Sequence, residues 1–327
     1  MQTDVSIIIP SRNRLWSLPK AIESCRSVTL GIQIIVIDDG STDGTSEWLK
    51  TQQDLEILQG EGWGKPWGVN KALSLATGTY LRYLDSDDWL SPAANERQFE
   101  IAESTQADVV VAGFDIYQDD TFVKTDSWPD TDDFIAQQLG EGAGSHYSAF
   151  LFRRTFVEGI PHRTLFPSSD FASRDDRCFI LEVALRDPRI AVCSVPTLCH
   201  RQHTKDRLQF RAGLCGTGTN IQHLYIYRQI LRLLAERNKL TSRRRRAATR
   251  VLWTLAHLVA YSHRYEACEI ANWVFELDPD FPVPERGLLG LLYRQIGFRK
   301  TEFLLRLRRK LLAPFRAKAK PQSLQLK

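Results

Sequence analysis

Two short β-branched runs near the start of the chain constrain the fold more than any other feature. Residues 5–9 are closed by Pro10, and residues 33–37 by Asp38-Asp39-Gly40. Runs of this kind suit parallel strands covered on both faces. Between them Leu15, Leu18, Ile22 and Cys25 recur near helical spacing, so residues 5–37 read as one strand-helix-strand unit. The alternation continues. Ser41-Thr42-Asp43 is a helix-capping cluster before a helix over 45–52; a strand follows over 55–58, then a helix over 69–76 stopped by Gly78, then strands over 79–84 and 108–114.

Beyond 115 the pattern is less regular, with an apolar stretch at 148–152, a helix over 176–185 and a strand over 190–195. From Asn220 onward every periodic segment is helical, including 251–259, 266–277 and 288–312. The expected organisation is therefore an α/β domain over 1–210, a mostly parallel sheet flanked by helices, and a helical C-terminal domain over 211–320. Their boundary falls in the Gly-rich stretch from Gly213 to Thr219. A length of 327 residues fits a large domain with a smaller companion.

With 43% hydrophobic and 25% charged residues the composition is that of an ordinary soluble protein. The N-terminus shows neither a basic region nor an apolar stretch of signal-peptide length, and no run reaches the ~18 apolar residues of a membrane span. A cytoplasmic location is expected. The six cysteines form no CxxC pair and read as reduced thiols.

In an open parallel sheet, ligands bind where the carboxyl ends of the strands converge. Here those ends are polar: Pro10-Ser-Arg-Asn-Arg14, Asp38-Asp-Gly-Ser-Thr-Asp43 and Asp85-Ser-Asp-Asp88. Clustered carboxylates repel unless a cation or good donors offset them. In extended chain Asp85 and Asp87 would lie on one side and could hold a hard cation that also binds a diphosphate, which implies Mg²⁺ or Mn²⁺. The same triplet also suits a plain polar turn. Neither GxGxxG nor GxxxxGK[ST] follows the first strand, which disfavours dinucleotide enzymes and P-loop NTPases.

Ile8-Ile-Pro-Ser-Arg-Asn-Arg14, Val36-Ile-Asp-Asp-Gly-Ser-Thr-Asp-Gly-Thr45 and Gly78-Thr-Tyr-Leu-Arg-Tyr-Leu-Asp-Ser-Asp-Asp-Trp-Leu-Ser-Pro92 together resemble the inverting family-2 glycosyltransferases of the GT-A fold. The resemblance implies a Rossmann-like GT-A domain that moves a sugar from a nucleotide-diphosphate donor, of uridine type, to a hydroxyl acceptor on a glycan, polysaccharide or glycolipid. It implies that Pro10, Arg12, Asp38 and Asp39 line the nucleotide pocket, that Asp87 holds the metal, and that Asp85 contacts the ion or the sugar. Asp88 is read as a turn cap. Lys65 lies where relatives present a basic residue to the donor, although Gly64-Lys-Pro-Trp-Gly68 departs from the commoner pattern, and a solvated lysine is the alternative.

Asp175-Asp176 resembles the family's Glu-Asp pair. That resemblance assigns the catalytic base to Asp176, with Asp175 second; first-turn acids that merely cap a helix are the alternative. Cys199-His-Arg-Gln-His203 resembles the family's Tyr-Arg-x-His element, with Arg201 reaching the diphosphate and His203 the metal or diphosphate. Residues 204–219 are expected to form a lid. A nucleotidyltransferase and an inactive sugar-nucleotide-binding protein are the rival classes. The first lacks its Gly-rich loop here, and for the second every carboxylate is retained.

Between Arg299 and Lys320 stand nine Lys or Arg against one Glu, and Phe303, Leu307, Leu311 and Phe315 recur every four residues. This basic amphipathic helix suits either an anionic membrane surface, giving a peripheral position on the inner face, or packing on its own domain. Nucleic acid is disfavoured, since no base-stacking pattern accompanies Arg243–Arg246. Residues 266–279 resemble one helix of a tetratricopeptide-type pair.

Overall fold

The computed structural model describes residues 3–129, 131–142, 146–163, 174–203, 214–260 and 263–317, apart from the side chains of 214–221 and 309–317. The chain forms two compact units, residues 1–247 and 248–327.

The first unit begins with β1 (Val5–Ser11), α1 (Leu18–Cys25), β2 (Ile32–Asp39), α2 (Thr45–Leu49), β3 (Glu56–Gly60), α3 (Lys65–Leu73) and β4 (Tyr80–Tyr83). It continues with β5 (Trp89–Leu90), α4 (Ala94–Thr105), β6 (Val109–Gln118), β7 (Thr121–Asp126), α5 (Phe134–Leu139), a 3₁₀ turn over Tyr147–Ala149, β8 (Leu151–Arg153) and α6 (Arg154–Val157). Then come α7 (Asp175–Leu185), β9 (Ile190–Gln202), α8 (Leu214–Glu236) and the start of α9 (Ser242–Ala260).

The strands form one sheet in the order β3-β2-β1-β4-β8-β6-β9-β5, with β7 also paired to β6. β1 runs parallel to β2 and β4, β2 to β3, and β6 to β9. Ile7, Ile8, Ile9, Ile35 and Val36 are fully buried, as a strand covered on both faces requires. Pro19 and Pro66 stand in the first turns of α1 and α3, where a missing N–H costs nothing. Pro66 also explains why α3 starts at Lys65, earlier than the apolar spacing predicts.

Three features depart from the sequence expectation. β8 enters the sheet antiparallel between β4 and β6. β9 runs on past residue 195, because its register slips between Ala112 and Phe114: Cys193 pairs with Ala112, and Leu198 with Phe114. The intervening bulge accommodates Pro196, which has no N–H for the ladder. The compact units also divide after Ala247, where composition alone suggests about residue 210. α8 belongs to the first unit: Leu224, Ile230 and Leu234 are buried, and the Tyr227 hydroxyl donates to the Leu139 carbonyl at 3.0 Å.

The second unit comprises the rest of α9, α10 (Arg264–Leu277) and α11 (Gly287–Ala317), which breaks at Gly297. Its core is Trp253, ringed by His257, Phe275, Phe281, Tyr293 and Phe298 at centroid distances of 5.2–5.9 Å. The Trp253 indole donates to Glu285 at 3.0 Å. Among the described residues no helix is long and apolar enough to cross a membrane.

Candidate active site

Parallel register brings the ends of β1, β2 and β3 level, with Ser11 beside Asp38 and Asp39 beside Gly60. The loops beyond them are cross-braced. Asn13 donates its N–H to Ser41 Oγ at 2.9 Å and receives the Thr42 N–H at 2.7 Å, while Asp43 accepts from the Leu15 N–H at 3.1 Å. Asp38 is fully buried and accepts from the Ser41 N–H at 3.2 Å and from the Ser46 hydroxyl. The Asp39 carboxylate takes three backbone N–H groups, of Gly62, Trp63 and Gly64, at 2.8–2.9 Å. Both aspartates therefore organise loops. Asp39 shapes the one that delivers Lys65, and a Cβ on Gly60 would fall 2.5 Å from its Oδ1. Pro10 is the penultimate residue of β1, and Arg12 just beyond is exposed, with its guanidinium beside Gly62. Trp63, which the sequence reading passes over, presents an exposed ring on the same loop.

Asp85–Asp88 forms a turn closed by the Asp88 N–H on the Asp85 carbonyl at 3.1 Å. The expected extended geometry at Asp85 and Asp87 is thus corrected. The two carboxylates meet different partners. Asp85 pairs with Lys65 Nζ at 2.7 Å and lies 3.8 Å from His146 Nε2. Asp87 Oδ2 meets His203 Nε2 at 3.0 Å. Burial works to lower the Lys65 pKa, but the fields of Asp85, Tyr147, Asp175 and Asp176 outweigh it and hold the pKa well above the ordinary value. Burial likewise works against the Asp85 charge, and Lys65 and His146 overcome it, holding the carboxyl below its usual range.

Asp88 does more than cap the turn. Its buried Oδ1 receives the Arg201 N–H at 2.8 Å, and its Oδ2 meets His200 Nδ1 at 3.1 Å and His146 Nε2 at 3.7 Å. Burial lowers the His146 pKa, with His200 adding to the effect and Asp88 opposing it. Tyr147 opens the 3₁₀ turn and His146 caps it, and no sequence motif marks either. That turn is tied down by Arg82, a fully buried residue of β4. Its guanidinium donates to the Ser148 carbonyl at 3.1 Å, to Asn95 at 3.0 Å and to Gln98. Gln98 in turn donates to the Val110 and Ala149 carbonyls at 3.0 Å. Burial among these neutral acceptors pushes Arg82 down to about 10.

At the start of α7, Asp175 is buried and meets His162 Nδ1 at 3.0 Å, whereas Asp176 is half-exposed and accepts its neighbour Arg177's N–H. Both acids act electrostatically on Lys65 and Tyr147, and Asp176 also on His146. The first turn of α7 is therefore electrostatically coupled to Lys65 and the Asp85 turn. The Arg201 guanidinium lies over the rings of Trp16 and Trp89 and donates to Asp120 at 2.9 Å, and Trp16 in turn packs edge-on against His203. Side-chain alternation sends Arg201 and His200 to opposite faces of β9. Of the expected lid, 204–213 lie outside the described residues, and from Leu214 the chain is helical.

Two donor sets could take a divalent cation. Asp87 Oδ2 and His203 Nε2 are already at the separation of neighbouring ligands on one ion, and His203 Nδ1 is buried without a partner among the described residues. Asp88, His146 and His200 also bring ligand atoms within 4.8 Å of one another. There His146 Nδ1 accepts the Ser148 N–H at 3.4 Å, a bond that the Nε2-protonated tautomer makes and that binding an ion through Nε2 would have to give up.

Residues 6–160 match the sequence model of Glycosyl transferase family 2. A Bacillus subtilis protein named as a glycosyltransferase, EpsH, is 25% identical over 265 residues, which cover 75% of this chain and 73% of that protein. An undecaprenyl-phosphate 4-deoxy-4-formamido-L-arabinose transferase of Yersinia pestis is 30% identical over 170 residues, 48% of this chain and about half (51%) of the relative. Among solved structures, S. aureus TarS 1–349 in complex with UDP-GlcNAc superposes with a TM-score of 0.63 at 15% identity, covering 93% of this chain and 92% of that one. That likeness shows the GT-A fold.

Proposed function

We propose that this chain, whose residues 6–160 match the Glycosyl transferase family 2 model, is a glycosyltransferase of that family that transfers a sugar with inversion from a UDP-sugar to a hydroxyl acceptor in polysaccharide or glycolipid synthesis. What supports this reading is the Lys65–Asp85 pair and, two residues on, the Asp87–His203 pair, with the acidic first turn of α7 acting electrostatically on Lys65 and Asp85. The UDP-GlcNAc bound by TarS supports the choice of donor, and the undecaprenyl-phosphate relative supports a lipid-linked acceptor.

Each group then has a task. Arg12, exposed and without an ion pair among the described residues, and the Trp63 ring flank the nucleotide. Asp39 still has one of its ~four acceptor positions for a base N–H; Asp38 serves by bracing the loop. Lys65 lies against the donor's diphosphate side and spreads its charge over Asp85. Asp87 and His203, with Asp85 as companion, would hold Mn²⁺ or Mg²⁺, which supplies charge neutralisation for the departing diphosphate when bound. Asp176, at a helix N-terminus and open to solvent, removes the acceptor hydroxyl's proton as that oxygen attacks the anomeric carbon. His162 holds Asp175 beside it. Arg201 supports the site through its backbone grip on Asp88.

The test is a panel of UDP-sugars turned over by the purified full chain with Mn²⁺, Mg²⁺ or EDTA, the product anomer being read by NMR coupling constants. Asp176→Asn should lower kcat by about 10²–10⁴ with donor affinity retained. Normal turnover by that variant alongside loss in Asp175→Asn would move the base by one residue. A retained anomeric configuration would overturn inversion.

A further inference from the structure

We propose that the helix after Gly297 in the second unit is a docking surface for an anionic lipid bilayer. α11 breaks at Gly297, whose φ of 78° only glycine adopts readily, and the helix that follows carries two apolar faces. One face is spent: Phe298 and Thr301 are buried, and Glu302 bonds to Tyr293 at 2.6 Å and to His257 at 3.0 Å. At 100° per residue, Phe303, Leu304 and Leu307 lie on the opposite side, and they are 47%, 45% and 42% exposed.

Arginines frame this outward stripe, and Lys300 lies within it. Arg299, Lys300, Arg306 and Arg308 are all exposed, and Arg264 of α10 reaches over the Phe303 ring at 5.6 Å. Arg264, Arg299 and Lys300 share a groove of about 530 Å³ with Ile296, Phe303 and Leu304. Within residues 299–308 the only acid, Glu302, faces inward. An apolar stripe between arginines has the chemistry of an acyl boundary with anionic headgroups above it, into which long basic side chains reach. Nucleic acid would use the cations and leave the three apolar side chains in water. A second copy of the chain would set cations against cations. Nothing about this surface depends on glycosyl transfer.

Vesicle co-sedimentation of the full chain tests it, using phosphatidylcholine vesicles with and without 30% phosphatidylglycerol. Binding should require the anionic lipid and fall as salt rises, each cation near the surface being worth about fivefold. Phe303→Ser/Leu304→Ser/Leu307→Ser, at positions already exposed, should keep the circular dichroism spectrum and lose at least tenfold in partitioning; Arg299→Glu/Arg306→Glu/Arg308→Glu should lose at least as much. The wild-type lipid and salt series is decisive even if a variant folds poorly. No binding to anionic vesicles would overturn the proposal. So would equal binding without phosphatidylglycerol, partitioning untouched by the serine variant, or a concentration-dependent dimer that the serine variant abolishes.

Discussion

Replacing Lys65 with Met would isolate what a built-in cation contributes to the site. Two unit charges 2.7 Å apart attract by ~6 kcal/mol at an effective dielectric constant of ~20. Desolvating both groups consumes most of that, and a net loss of ~2 kcal/mol at neutral pH is the expected cost of leaving Asp85 without its partner. For a unit of this size that is a fall in Tm of roughly 4–8 °C.

The pH dependence carries the diagnosis. In the wild type the Asp85 pKa is depressed, so its contribution is present above the unfolded value of ~3.9 and is lost only as pH falls through the folded value. Without Lys65, burial and the neighbouring Asp175 push that pKa above the unfolded value instead. The variant is then penalised as pH rises, and the penalty fades toward pH 4–5. The Lys65 pKa is raised, so its own contribution is constant throughout this range and is lost only in alkali. Thermal unfolding of Lys65→Met, Asp85→Asn and the double variant at pH 5 and 7.5 measures both effects. A Tm deficit independent of pH, or a double variant whose losses simply add, would refute the pairing as the source of the stability.

Three further outcomes are expected. Asp87→Ala and His203→Ala should each abolish the rise in Tm produced by millimolar Mn²⁺ while leaving the Tm in EDTA within a few degrees of wild type; a retained metal response would remove the pair from the metal site. Gly60→Ala should push Asp39 off the loop N–H groups, cost about 1–3 kcal/mol and weaken UDP binding measured by calorimetry, because its Cβ has only 2.5 Å of room. Trp253→Ala should destabilise the second unit by about 3–5 kcal/mol in urea unfolding, since it removes the ring around which five aromatic side chains pack.

The parallel half of the sheet was legible because its strands are buried on both faces, so residues 5–9 and 33–37 announce themselves through composition. β8 and the continuation of β9 were not, because three residues beside a buried partner carry no period, and a bulge around Pro196 imitates a strand end. In the candidate site, local motifs single out Asp85, Asp87, Asp175, Asp176 and His203 as candidates. Their pairings were hidden: Lys65 finds Asp85 across 20 residues, and Asp87 finds His203 across 116. His146 and Tyr147 bear no signature at all, since a 3₁₀ turn delivers them and only the fold brings that turn to Asp88. The loop-bracing role of Asp38 and Asp39 was also hidden, because it depends on backbone N–H groups, for Asp39 from residues distant in sequence. A loop with Gly62 and Gly64 at positive φ offers donors that a carboxylate collects first.

The buried Arg82 gives one wall of this site an unusual dependency. His146 and Tyr147 rest on a three-residue turn, and that turn is moored to α4 by a guanidinium that has only neutral oxygens to hold. Withdrawing Gln98 or Asn95 would strand a charge in the interior and free the Ser148 carbonyl together. Lysine, with one compact ammonium, cannot span the same three acceptors. The fragility of this wall is therefore distributed along α4, and amide substitutions at Asn95 or Gln98 should disturb the His146–Tyr147 segment from a distance.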